Sequence, residues 1–108
     1  MELSDYTKIL EANAILVEYE GKKHYINGKM NGDVINVMSN PDIAVQDKQF
    51  QMLACVICNE SGVRLFNVNN EDHVNIVRSF PVDLQTALIL KVQENFYPDK
   101  KKALKVQA

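Results

Sequence analysis

No apolar run in this 108-residue chain approaches the roughly 18 to 20 residues that a membrane-spanning helix needs, and no membrane partner is expected. A basic excess is missing as well. Twelve Lys and Arg stand against 14 Asp and Glu, a formal charge of −2, which gives no electrostatic reason to expect nucleic acid. The first residues, Met1-Glu2-Leu3-Ser4-Asp5, lack the basic-then-apolar order of a secretion signal, which sets the expectation of a soluble protein of the cytoplasm. There the two cysteines would be reduced thiols and not a disulfide framework. Only four glycines occur, scattered at Gly21, Gly28, Gly32 and Gly62, and none belongs to a phosphate-binding loop. Paired carboxylates and a serine with a local nucleophile signature are missing too, so no catalytic residue is nominated.

What remains is ordinary globular material: 46% hydrophobic and 24% charged residues argue against both disorder and a fibre. A chain of this length buries roughly two thirds of its unfolded surface and folds as one domain. Its most apolar part runs from Gln46 to Phe66. Phe50, Leu53, Ala54, Ile57 and Cys58 recur at helical spacing between Asp47 and Asn59, with Met52, Cys55 and Val56 widening the stripe almost to the full circumference. The spacing predicts a central buried helix over that span. Asn59-Glu60-Ser61-Gly62 then supplies its stop, with a glycine able to take positive φ, and Val63-Arg64-Leu65-Phe66 returns an apolar pair.

Around this helix the rest can be placed in order. Ser4 or Asp5 can cap a short helix through Leu10, with Tyr6, Ile9 and Leu10 on one face. Ile15-Leu16-Val17-Glu18-Tyr19 and His24-Tyr25-Ile26-Asn27 read as a β-hairpin about a charged turn, with Tyr19 and Tyr25 as a candidate cross-strand pair. The punctuation at Asn27-Gly28 and Asn31-Gly32 is expected to end the sheet. From Gly32 to Ser39 the pattern suits either helix or strand, and Asn40-Pro41 closes it. Asn69 or Asn70 is a good N-cap for a helix to about Phe80, with Glu71 and Asp72 at its positive end. Pro81 then opens a last helix on Leu84, Leu88, Val92 and Phe96, stopped by Tyr97-Pro98-Asp99. The expected fold is mainly α, or α+β with a small N-terminal hairpin: one compact helical domain over residues 1–99 and a basic, mobile tail over 100–108. Its core is expected on Phe50, Leu53, Ile57, Leu65, Phe66, Val77, Leu84, Leu88 and Val92.

Two clusters could carry chemistry. Cys55 and Cys58 form a C-x-x-C, but a redox dithiol wants its first thiol exposed at a helix N-terminus, and these fall inside an apolar run. A zinc site needs four ligands, and no second C-x-x-C exists; His24 and His73 would have to come from distant loops. His73 lies among Asn69, Asn70, Glu71 and Asp72, which helix capping explains. Buried structural cysteines and a capping cluster are therefore the favoured readings, and neither a metal nor a cofactor is expected.

From about residue 45 to 97 the order is a helix, the turn Asn59-Glu60-Ser61-Gly62 with Leu65-Phe66, an acidic cap at Asn70-Glu71-Asp72, a short helix bearing Val74 and Val77, a break at Phe80-Pro81 and an amphipathic helix. This resembles the tail assembly chaperones of long-tailed bacteriophages, most nearly those of lambda-like siphophages. The resemblance implies a non-enzymatic protein of the host cytoplasm that binds the tape measure protein during tail morphogenesis and is not retained in the virion. It further implies the major tail tube protein as a second candidate partner, and a homo-oligomer in the form of a ring or spiral. Partner contacts are expected on the exposed side of the last helix and the tail, with Lys91, Gln93 and Tyr97 accessible. Many members are also made in a longer form by ribosomal frameshifting, for which Lys100, Lys101 and Lys102 mark the expected region. The alternatives are a phage structural protein, such as a head-tail connector or tail tube component, and third a small thiol or metal-binding module using Cys55 and Cys58.

Overall fold

The computed structural model describes residues 1–96; Tyr97, the Lys100 to Lys102 run and the tail expected over 100–108 lie outside the described residues. Within them the chain forms α1 (Leu3–Ala12), β1 (Ala14–Tyr19), β2 (Lys22–Asn27), α2 (Gly32–Ser39), α3 (Val45–Val56), β3 (Ile57–Cys58), α4 (Glu71–Arg78) and α5 (Val82–Phe96). The fold is mainly helical with a small antiparallel sheet, as the periodicity predicts.

The hairpin turns on Glu20 and Gly21, at φ 49 and 76, a two-residue turn whose twist matches that of the strands it joins. So short a turn fixes the register. Tyr19 stands opposite Lys22 and Leu16 opposite Tyr25, which puts the two tyrosines on opposite faces of the ribbon; the expected Tyr19–Tyr25 pair does not form. The inward face carries Val17 and Ile26, 7% and 0% exposed, and α5 packs across both strands.

The sheet does not end with the hairpin. β3 pairs antiparallel with β2, Ile57 opposite Ile26 and Cys58 opposite Tyr25, so β2 is the central strand. The central helix accordingly stops at Val56, not Asn59: Ile57 takes φ −65 and ψ 126. From Met52 to Cys58 every residue is buried, and an apolar run without a polar face reads alike as buried helix and buried strand. Gly62 therefore caps no helix. It has φ 79 in a turn beyond β3, where its N–H donates to the Asn59 carbonyl (2.9 Å) and the Leu65 N–H donates to the Ile57 carbonyl (3.2 Å).

Helix starts follow capping chemistry. Asn31 Oδ1 accepts from the Val34 N–H (3.0 Å), making residues 32–39 a helix, while its Nδ2 donates to the Cys55 carbonyl (3.2 Å) and ties α2 to the end of α3. Asn70 Oδ1 accepts from the Asp72 N–H (3.0 Å) at the start of α4. At α1 the cap is Glu2 and not Ser4 or Asp5; Asp5 instead accepts from the Glu2 N–H (2.8 Å), so the helix starts at Leu3 and runs to Ala12. The turn between α4 and α5 is held by Gln85, whose Nε2 lies 3.3, 3.1 and 3.1 Å from the carbonyls of Val77, Arg78 and Phe80.

The core centres on Ile26, Leu53, Val56, Val77 and Leu88, each at most 1% exposed. Ile57, Leu84 and Val92 are buried as expected, and Phe50 and Phe66 pack partly buried against them. Leu65 is the exception at 54% exposed, because the extended return after Gly62 alternates its faces and turns Phe66 inward. Among the described residues no helix is long and apolar enough to cross a membrane.

Candidate functional site

α2, α3 and α5 enclose an open groove of about 410 Å³. Its floor is Val34, Met52 and Val92, and its walls are Met38, Val45, Ile89 and Phe96. The wall residues Val45 and Met38 are 82% and 47% exposed, so large apolar side chains face solvent beside a buried apolar floor. Gln46, Lys48, Gln49 and Gln93 form a polar rim, and among the described residues no acidic side chain lines the groove. Lys48 Nζ donates to the Met38 carbonyl (3.0 Å), which fixes the end of α2 against α3. An apolar trough between helices with a hydrogen-bonding rim is the shape that receives the apolar face of an amphipathic helix.

Of the expected partner-binding residues, Gln93 lines this groove. Lys91 does not: two residues along a helix lie on nearly opposite sides, and its Nζ is 4.0 Å from Glu94 on the other flank. Tyr97 follows the last described residue, Phe96. Met38, Val45 and Ile89 were not nominated from sequence as binding residues. Met38 and Ile89 widen apolar stripes beyond what one buried face needs, but only the meeting of three helices shows that they converge with Val45.

A second cavity of about 440 Å³ lies where Leu10 approaches Gly62 and includes Asn27, Asn31, Asp33 and Arg64. Arg64 and Asp33 form an ion pair across it, linking the return after β3 to the first turn of α2. Arg64 Nε is buried with no hydrogen-bond partner, and Asn27 is 6% exposed.

Both cysteines are buried, as the favoured sequence reading has it, although Cys58 lies on a strand and not in the central helix. Cys55 lies in the last turn of α3, one residue before its end at Val56, and Cys58 lies on β3, at 0% and 2% exposure. Burial pushes the Cys55 thiol up to about 11, against a partial opposing pull from Arg64, and raises Cys58 by the same cause. Such thiols stay protonated near neutrality, the reverse of an activated nucleophile. His73 Nδ1 accepts from the Asn67 N–H (2.8 Å) and its ring stands edge-on to Phe66, 5.9 Å between centroids, so it closes the loop before α4. Among the described residues no three His, Cys, Asp or Glu side chains gather as a metal-ion site. No protein-family model, curated protein or solved structure matches this chain.

Proposed function

We propose that this chain is a tail assembly chaperone of a long-tailed, lambda-like siphophage, acting in the host cytoplasm during tail morphogenesis and left out of the finished virion. The observation that carries the reading is the groove between α2, α3 and α5, whose apolar floor and polar rim suit a helix of the tape measure protein. The resemblance over residues 45–97 supplies that partner. It describes a long, apolar, helical chain that must be kept soluble before the tail tube polymerises around it, and it adds the major tail tube protein as a second partner.

In this reading the groove shields one helical segment at a time. Val34, Met52 and Val92 accept apolar side chains, and Gln46, Gln49 and Gln93 bond to polar groups along the edge of the bound helix. Binding apolar surface in water gains about 25 cal/mol per Å² of area covered, so a trough of this kind holds helices by stripe and not by exact sequence. The Lys100 to Lys102 run is the region where a longer, frameshifted form would diverge.

Mass spectrometry of two samples tests the reading. The intact locus, expressed with its downstream DNA, should yield a minor longer product that shares the Met1 end and departs from this sequence near Lys100 to Lys102. Purified virions should contain neither form. Stoichiometric recovery from virions would instead make the chain a connector or tube component.

A further inference from the structure

We propose that the cavity between the end of α1, the start of α2 and the return after β3 binds a small carboxylate on a short apolar body. It lies apart from the groove, with which it shares no lining residue. Four stretches distant in sequence build it: Leu10 from α1, Asn27 at the end of β2, Asn31 to Asp33 at the start of α2, and Gly62 to Arg64 after β3. At about 440 Å³ it falls within the size range of small-molecule sites.

The buried polar groups there that lack a partner are donors. Asn27 is 6% exposed, an amide taken out of water. Its Oδ1 accepts from the Lys29 N–H (3.3 Å), which orients the amide, and its Nδ2 donates to nothing among the described residues. Arg64 bonds Asp33 through Nη1, while its Nε–H is buried without an acceptor. Folded proteins keep few unpaired buried donors, because each has given up water for nothing; two beside one cavity call for an acceptor from outside the chain. With Nη1 engaged, the guanidinium keeps its Nε and Nη2 edge, which can hold a carboxylate side-on through two parallel N–H···O bonds. Gly32 and Asp33 add the first two N–H groups of α2, which no helix carbonyl reaches, and the positive end of its dipole. Of the lining residues only Asp33 is acidic and only Arg64 basic, and they pair, so the dipole decides the sign and favours an anion. Leu10 and Val63, 42% and 53% exposed, are the walls for an apolar body. An ideal Cβ at Gly32 would meet nothing within 4 Å, so a side chain can be built into the mouth without a clash.

An ionised carboxyl on a branched apolar body belongs both to a free short-chain acid and to the C-terminus of a protein that ends in an apolar residue. Amide NMR of the isotope-labelled full chain near neutral pH, titrated with isocaproate and with N-acetyl-leucine, distinguishes the two sources. At least one probe should give saturable shifts at the Gly32, Asp33 and Arg64 amides, the Asn27 side-chain NH2 and the Arg64 Nε–H, with Kd on the order of 1 mM. Tighter binding of N-acetyl-leucine assigns a chain end; equal or tighter binding of isocaproate assigns a free acid. N-acetyl-leucinamide, the same body without the charge, should bind at least about tenfold more weakly than N-acetyl-leucine. Gly32→Leu, which fills the mouth, should abolish the shifts. Arg64→Lys keeps the charge but not the planar fork and should weaken binding about tenfold, and it serves alone if Gly32→Leu fails to fold by circular dichroism. Shifts that stay linear with concentration, or that spread over the surface, would overturn the proposal. So would an amide that binds as well as the acid, or a folded variant of either kind that binds like wild type.

Discussion

Cys55 has its thiol at 0% exposure in the last turn of α3, with a pKa raised to about 11 from an ordinary value near 9. The raised value belongs to a group that is neutral when protonated, so its contribution to stability is fully present below the unfolded value and is lost as pH rises through the folded one. Urea unfolding followed from pH 8 to 11 should therefore show wild type losing stability relative to Cys55→Ala as pH climbs from 9 toward 11. Equal slopes for the two proteins would remove burial as the cause. Leu88, 1% exposed beneath the hairpin, is a packing residue in the strict sense. Leu88→Ala should cost about 2 to 5 kcal/mol in the same assay. Leu65→Ala, on an outward-facing side chain, should stay within about 0.5 kcal/mol.

At the scale of elements, Gly62 does more than reverse the chain. Its φ of 79 favours glycine, and an added Cβ would collide with the backbone at Leu10, so the turn after β3 and the end of α1 are packed main chain to main chain. Gly62→Ala should destabilise the fold by more than about 1 kcal/mol, through strain at positive φ and displacement of α1. Hydrogen exchange should locate the loosened amides at residues 10–13 and 59–65; uniform loosening would argue against this local coupling. The sequence announces Gly62 as a turn but not as a contact, because its neighbour lies about fifty residues away in the chain. Elements with their own caps were legible: α4 from Asn70, α5 from Pro81 and its four-residue stripe, and the hairpin from its alternation. The end of α3 was not, since Ile57 and Cys58 become a strand only by pairing with β2, and burial on all sides erases the periodicity that separates the two states. Helix and strand were balanced over Gly32 to Ser39 for a related reason. The decision falls to Asn31, whose side chain serves both the α2 start and the α3 end.

For the whole molecule, the groove is where α2, α3 and α5 bring apolar side chains together. Gln93 could be nominated from its place on the outer side of the last helix. Met38, Val45 and Ile89 belong to three different helices, and no spacing within one segment records that they converge. The account's central claim is that this groove holds an apolar helix of the tape measure protein. On the proposed function, the direct measurement is co-expression of the full chain with the tape measure protein encoded beside it, with the soluble fraction of the latter quantified beside the Met38→Glu variant. The account predicts that wild type keeps the tape measure protein soluble and co-purifies with it, and that the variant, folded by circular dichroism, recovers at least tenfold less. Equal recovery with the variant, or an insoluble tape measure protein with both, would contradict it.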